Sequence, residues 1–238
     1  MNSELLKKLQ SVDTPTVCNA IEVAQGKRGF NQFTRGTLLR SDTHTNSLKE
    51  QPIALVGYAR TAQIAALEAP KEAANEIKER RMAYYKYMSE APKPALTVIE
   101  DIDYPNAIGA YWGEVNTAVH KGFGIAGALT NGVMRDLDDL PENFPVIAGS
   151  IGPSHGFVHV KTIAEPIEIF GMKVKDGDLI HADRHGALVI PVDVIPVLSE
   201  AIDRLLATEQ MVLKPAREEG FDFTAFEKAW NDFEKART

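Results

Sequence analysis

The chain has 238 residues, enough to bury a substantial core in one large domain or two small ones. Its 44% hydrophobic and 25% charged residues are ordinary for a globular protein, and a net charge of −7 argues against nucleic acid as a partner, because phosphate binding needs a basic surface. Cys18 stands alone, which excludes an intrachain disulfide and a zinc site built from several thiolates.

The opening "MNSELLKKLQSVDTP" has no long apolar run, so a secretory signal is not expected. No stretch approaches the roughly 18 apolar residues of a membrane span, so the expected location is the cytoplasm, with no membrane partner. Residues 3–10 and 14–24 read as two helices, with Asp13 or Thr14 as N-cap and Pro15 in the first turn. The apolar, β-rich run 52–64 reads as a strand. A charged segment bracketed by prolines predicts a helix over 71–89 that packs through Ile77, Tyr84 and Met88. Tyr84, Tyr85 and Tyr87 are read as packing groups, since acidic surroundings do not suit base stacking. Strands are expected at 95–102, 125–132 and 144–150, a helix at 113–123, and a turn with a short helix at 133–140. Strand, helix, strand at this spacing is a βαβ unit and favours a parallel sheet. Residues 157–192 hold four short strands separated by turns, which reads as a β-rich meander or small barrel. From Asp193 onward the pattern is helical, an arm of the kind that packs on a neighbouring subunit. With no internal repeat or low-complexity linker, the expectation is one α/β domain over 1–238.

Two short stretches carry chemistry. "IGAYWGEVNTAV" puts Gly113 and Glu114 at a strand-to-helix turn, where free backbone N–H groups and the helix dipole favour anions. The amides of Val115 and Asn116 would cradle a carboxylate. "GFGIAGALTNGVMRDLDDL" puts Arg135 beside Asp136, after a strand whose C-terminal end is where an open α/β sheet places ligands. Arg135 offers a planar fork for a carboxylate or 2-oxo acid. Asp136 offers a hard oxygen ligand for Mg²⁺ or Mn²⁺, and Glu114 a second acid at the metal or a general base acting through water. Helix capping explains Gly113-Glu114 equally well on spacing alone, and surface charge explains Arg135-Asp136.

The histidines allow a similar choice. His155 and His159 share a face if they lie on one strand, and His181 and His185 flank Asp183. They read first as buried or hydrogen-bonded structural groups and second as acid/base groups of a pocket. His44 and His120 read as surface residues. There is no phosphate-binding GxxxxGK[ST] loop and no GxSxG elbow. Gly122, Gly124 and Gly127 match the dinucleotide spacing but precede a strand, so dinucleotide binding is rejected.

Taken together the motifs resemble the RraA-like family, which includes 4-hydroxy-4-methyl-2-oxoglutarate aldolases and proteins named as regulators of ribonuclease E activity. The resemblance rests on Gly113-Glu114, then Gly124, Gly127, Gly132, Arg135 and Asp136, then Val174, Gly177-Asp178, Ala182-Asp183, Gly186 and Ile190-Pro191. It runs in order over about residues 50–195. It implies an α/β/β swivelling-domain sandwich with N- and C-terminal helices, assembled as a homotrimer or homohexamer. It implies a divalent metal held by Asp136, with Glu114 near its waters. Arg135 and the amides of Val115 and Asn116 would hold the pyruvate part of a 2-oxo acid. A C-terminal acid of the adjacent subunit, Glu200 or Glu209, would complete the site.

The implied reaction is cleavage of a 2-oxo acid through a pyruvate enolate, as a 4-hydroxy-4-methyl-2-oxoglutarate-type aldolase or an oxaloacetate decarboxylase. Two other readings remain: a non-catalytic regulator that binds an RNA-processing enzyme, and a lyase or hydratase on a sugar acid. The chain departs from the family pattern at Asn131, usually Asp, and at Val115 and Asn116, often two leucines. The helix expected at 71–89 is also longer than the family minimum.

Overall fold

The structure, a computed structural model, describes residues 1–36, 38–41 and 54–237, the last by its backbone alone. His44 and the start of the strand expected from residue 52 lie outside the described residues. In chain order the elements are α1 (Ser3–Ser11), α2 (Thr14–Gln25), β1 (Leu39–Arg40), β2 (Leu55–Ala65), α3 (Ala74–Ser89), β3 (Ala95–Asp101), β4 (Ala110–Trp112), α4 (Glu114–Gly122), β5 (Ala128–Thr130), β6 (Val133–Met134), β7 (Val146–Ala148) and β8 (Ser150–Ile151). They continue with β9 (His159–Ile163), β10 (Ile167–Ile169), β11 (Met172–Val174), β12 (Leu179–Asp183), β13 (Gly186–Ile190), α5 (Leu198–Ala216) and α6 (Phe223–Arg237). The chain is thus mixed α/β with helices at both ends. No helix among the described residues is long and apolar enough to cross a membrane.

Two compact units result. The first joins Met1–Thr14 to Asn31–Ile190, and the second joins Pro15–Phe30 to the chain from Pro191 onward. The first unit is built on an eight-stranded sheet of order β1-β7-β5-β3-β2-β12-β13, with β9 also on β2. Strands β2, β3, β5 and β7 run parallel, as the βαβ spacing predicts, with α3 and α4 in successive crossovers. The alternation of β3 explains its near-continuous apolar run. Leu96 and Val98 enter one core with Ile147, Ile167 and Val189, while Ala95 and Ile99 enter another with Tyr84, Met88 and Trp112.

The stretch 157–192 is not a separate meander or barrel. Strand β2 is long enough to pair with β12 over its first half and β9 over its second, so β9, β12 and β13 extend the main sheet. Only β10 and β11 form a separate ribbon. No helix forms at 133–140: β6 is followed by turns. A three-stranded parallel sheet, β4-β6-β8, was not anticipated. It pairs Ala110 with Val133 and Trp112 with Met134, so Gly113 and Arg135 begin just past the C-terminal ends of adjacent parallel strands.

The second unit contains α5, α6 and all of α2 after Thr14. Along α6 the rings of Phe223, Phe226, Trp230 and Phe233 stack in sequence, with centroids 5.4 to 6.0 Å apart.

Candidate active site

The two motifs interlock. Arg135 N–H donates to Trp112 O at 2.8 Å, carrying the β4–β6 ladder one residue beyond the strands. Asp136 then takes a left-handed backbone conformation, φ +55°, which Asp tolerates better than most side chains. The turn aims its carboxylate at the start of α4. There Gly113, the N-cap, has no side chain to cap the helix, and Asp136 Oδ2 accepts instead from Glu114 N–H at 3.2 Å. Arg135 Nε lies 3.3 Å from the same oxygen.

This arrangement explains the glycine. A Cβ at Gly113 would overlap Asp136 Oδ2 and stand 3.0 Å from Arg135 Nε. Gly113 is extended there, so it is the space and not the backbone angle that demands glycine. The Arg135 and Asp136 side chains are about a third exposed, 34% and 35%, so their ion pair contributes only about 0–1 kcal/mol. Glu114 is exposed beside them, and Val115 is 73% exposed. The amides of Val115 and Asn116 belong to the first turn and have no acceptor within the helix. Gly113, Glu114, Val115, Asn116, Arg135 and Asp136 thus converge at one strand-end. Glu200 and Glu209 lie on α5, in the second unit.

Behind this surface the helix is anchored. Thr117 Oγ donates to Gly113 O at 2.8 Å. The Asn116 side chain does not face outward: its Nδ2 donates to Tyr111 O at 2.6 Å, and its Oδ1 accepts from Tyr85 O–H at 2.6 Å. His120 is fully buried, correcting its reading as a surface residue. Its Nδ1 faces the Asn116 carbonyl at 2.6 Å, so that nitrogen carries the proton. Burial pushes the His120 pKa down to about 4, which keeps the ring neutral and leaves Nε2 to accept from Tyr84 O–H at 2.7 Å.

Asn131 also has a structural account. Its Oδ1 accepts from Asp101 N–H at 2.7 Å and its Nδ2 donates to Asp101 O at 3.1 Å. A carboxylate could not make the second bond. It would also add charge beside Asp101, a buried acid whose Oδ2 has no hydrogen-bond partner and whose pKa burial pushes up to about 6.

The other histidines divide as follows. His181 is buried, with Nδ1 3.0 Å from Thr14 Oγ1 and Nε2 2.9 Å from Leu9 O, so it ties α1 to β12. Asp183 accepts from Thr14 N–H at 2.9 Å and from His185 N–H at 2.8 Å, and lies 3.1 Å from His185 Nδ1. His155 lies in an exposed loop and His159 begins β9, so they do not share one strand. Among the described residues no group of three or more His, Cys, Asp and Glu is arranged to hold a metal. One exposed carboxylate at Asp136 and a second at Glu114 do suit Mg²⁺ or Mn²⁺, which take one or two protein carboxylates and complete their shell with substrate and water.

A family model described as RraA-like, Aldolase/RraA, matches residues 14–189. The chain belongs to this family. The RraA-like family includes both aldolases and inhibitors of ribonuclease E. Among relatives, "Protein DlpA" of Legionella pneumophila is 28% identical over 63% of this chain, though the match spans only 26% of that longer protein. A Halalkalibacterium halodurans protein named "Putative 4-hydroxy-4-methyl-2-oxoglutarate aldolase" is 28% identical over 75% of this chain and 72% of its own length. The RraA-like fold recurs in solved structures. An uncharacterized Pseudomonas syringae pv. tomato protein superposes with a TM-score of 0.67 at 19% identity, covering 97% of this chain and 94% of its own. RraAS2 of Streptomyces coelicolor, described as an unusual member of the RNase ES inhibitor RraA family, gives 0.64 at 20% identity, covering 92% and 98%.

Sequence reasoning placed the two RraA-like motifs together but missed Tyr85, Tyr111, His120 and Asp101. The signal for Tyr85 was present. An Asn at 116 where leucine is common needs a polar partner, and three tyrosines in four residues of a neighbouring crossover helix supply candidates.

Proposed function

We propose that this RraA-like protein is a divalent-metal-dependent lyase that cleaves a 2-oxo acid to release pyruvate. The observation that supports this most is the fit of Arg135 and Asp136 over the side-chain-free Gly113 at the start of α4. It puts a guanidinium, a carboxylate, an exposed second acid and first-turn amides at one point. A regulatory surface has no need of that combination.

In this reading Arg135 and the Val115 and Asn116 amides bind the substrate carboxylate. Asp136, with Glu114 through water, would hold Mg²⁺ or Mn²⁺, which supplies electrophilic stabilisation of the negative charge developing on the 2-oxo fragment. Glu114 takes a proton from the C4 hydroxyl through water. The C3–C4 bond then breaks, its electron pair stays with the pyruvate fragment, and a proton returns to C3. With 4-hydroxy-4-methyl-2-oxoglutarate both products are pyruvate. With oxaloacetate the departing group is CO₂. The protein would work in the cytoplasm as a homotrimer or homohexamer.

The test is pyruvate release, coupled to lactate dehydrogenase, from both substrates with Mg²⁺ or Mn²⁺ and again with EDTA. Release abolished by EDTA supports the reading. No release, with metal bound, favours a sugar acid as substrate. No release and no metal binding favours a non-catalytic regulator.

A further inference from the structure

Asn116 and α3 depart from the family pattern separately in the sequence, yet in the structure they meet. Helix α3 lies on α4 through two successive tyrosines. Tyr84, fully buried, donates to His120 Nε2, and His120 Nδ1–H donates to the Asn116 carbonyl. Tyr85 donates to the Asn116 side chain. The direction of that last bond is fixed by chemistry. Tyr111 O can only accept, so the amide of Asn116 must turn its Nδ2 there and its Oδ1 towards Tyr85. Asn116 therefore receives hydrogen bonds from α3 at Oδ1 and, through His120, at its backbone oxygen. Its own N–H is one of the first-turn amides proposed to receive substrate.

We infer that Tyr85 and Asn116 are positioning residues: their hydrogen bond holds the first turn of α4 in register for the substrate carboxylate. This rests on the proposed function. Both polar atoms of the Asn116 side chain are engaged within the fold, so it acts through where it holds its own amide and that of Val115. Leucine at 116 would need an apolar group in place of the Tyr85 hydroxyl, so the two positions form one unit.

The test uses the full chain as Tyr85→Phe, Asn116→Leu and the pair. Tyr85→Phe keeps the ring contacts with Tyr84, His120 and Phe123, so it leaves the fold intact even if Asn116→Leu does not. Three quantities are read: KM and kcat for pyruvate release with Mn²⁺, the Kd of oxalate by calorimetry, and deuterium exchange of the peptide spanning 113–118. Each single change should raise KM and the oxalate Kd about two- to tenfold, with kcat unchanged. Exchange at 113–118 should quicken. The pair should lie closer to the native protein than Asn116→Leu does, because neither polar group is then stranded. Unchanged KM, oxalate affinity and exchange in Tyr85→Phe would overturn the inference, as would additive losses in the pair. If the native protein neither turns over substrate nor binds oxalate, the lyase reading fails on its own. Exchange alone then decides the brace: faster exchange sustains it and unchanged exchange overturns it.

Discussion

Two charged clusters stand at strand ends in the first unit, and they behave oppositely. Around Asp183 each partner is internal: Thr14 N–H, His185 N–H and the His185 ring meet the carboxylate, while His181 joins Thr14 Oγ1 to Leu9 O. Around Asp136 the carboxylate is a third exposed and caps a helix that lacks its own cap. A cluster that spends its hydrogen bonds on the fold stabilises the fold. One that faces solvent with spare capacity is available to a ligand. The two motifs look alike in the sequence, an Asp beside an Arg in each, and only their surroundings separate them.

Substitutions sharpen that contrast, beginning with the largest effect. Asp136→Ala should abolish metal-dependent pyruvate release, about 100-fold or more in kcat, while costing only about 1–2 kcal/mol of stability, since it removes the cap of α4 and a part-exposed ion pair. Arg135→Ala should raise KM for pyruvate-containing substrates about 10- to 100-fold. Normal steady-state kinetics in either variant would sink the site assignment. Asp183→Ala should do the reverse, destabilising the protein by about 3 kcal/mol in urea unfolding because Thr14 N–H and the His185 donors lose a buried acceptor. Burial raises the pKa of Asp183, but the bonds from Thr14 and His185 outweigh it and the net shift is downward. Its contribution is therefore present at neutral pH and lost as the solution is acidified below the ordinary carboxylate range.

Asp101 works in the opposite sense. Burial raises its pKa from 3.8 to about 6, so the folded state binds the proton more tightly than the unfolded one. Its effect favours folding most below about pH 4 and weakens as pH rises through about 6. Asp101→Asn should remove that slope and stabilise the protein at pH 7 by on the order of 1 kcal/mol, read as the midpoint of chemical unfolding at pH 5 and 7. The smallest effect belongs to His155, whose ring Nδ1 lies 2.7 Å from its neighbour's carbonyl, Gly156 O. His155→Ala should shift stability by less than about 0.5 kcal/mol and leave turnover unchanged. A large loss of turnover would instead return the loop histidines to the chemistry.

The parallel βαβ frame and the meeting of the Gly113 and Arg135 motifs were legible because long apolar runs have a period and strand-to-helix turns have a composition. The β4-β6-β8 sheet was not, since strands of two or three residues are too short to show alternation. His120 was misread because Tyr84, the group that buries and bonds it, lies 36 residues away, and a lone polar residue on a short helix carries no mark of its face. Asn116 was read for its amide while its side chain is held by Tyr85, 31 residues upstream. Polar groups paired across such distances leave no local pattern.

The left-handed turn at Asp136 also limits what the protein can become. Asn and Gly adopt that conformation readily, whereas branched or bulky residues resist it. Asn alone also keeps an oxygen to accept from Glu114 N–H, so descendants that abandon the carboxylate without disturbing the neighbouring helix have one easy exit, a single nucleotide change from an aspartate codon. It leaves the surface nearly the same shape while discarding its charge. A catalyst and a purely adhesive protein would then be evolutionary neighbours, separated by one tolerated step.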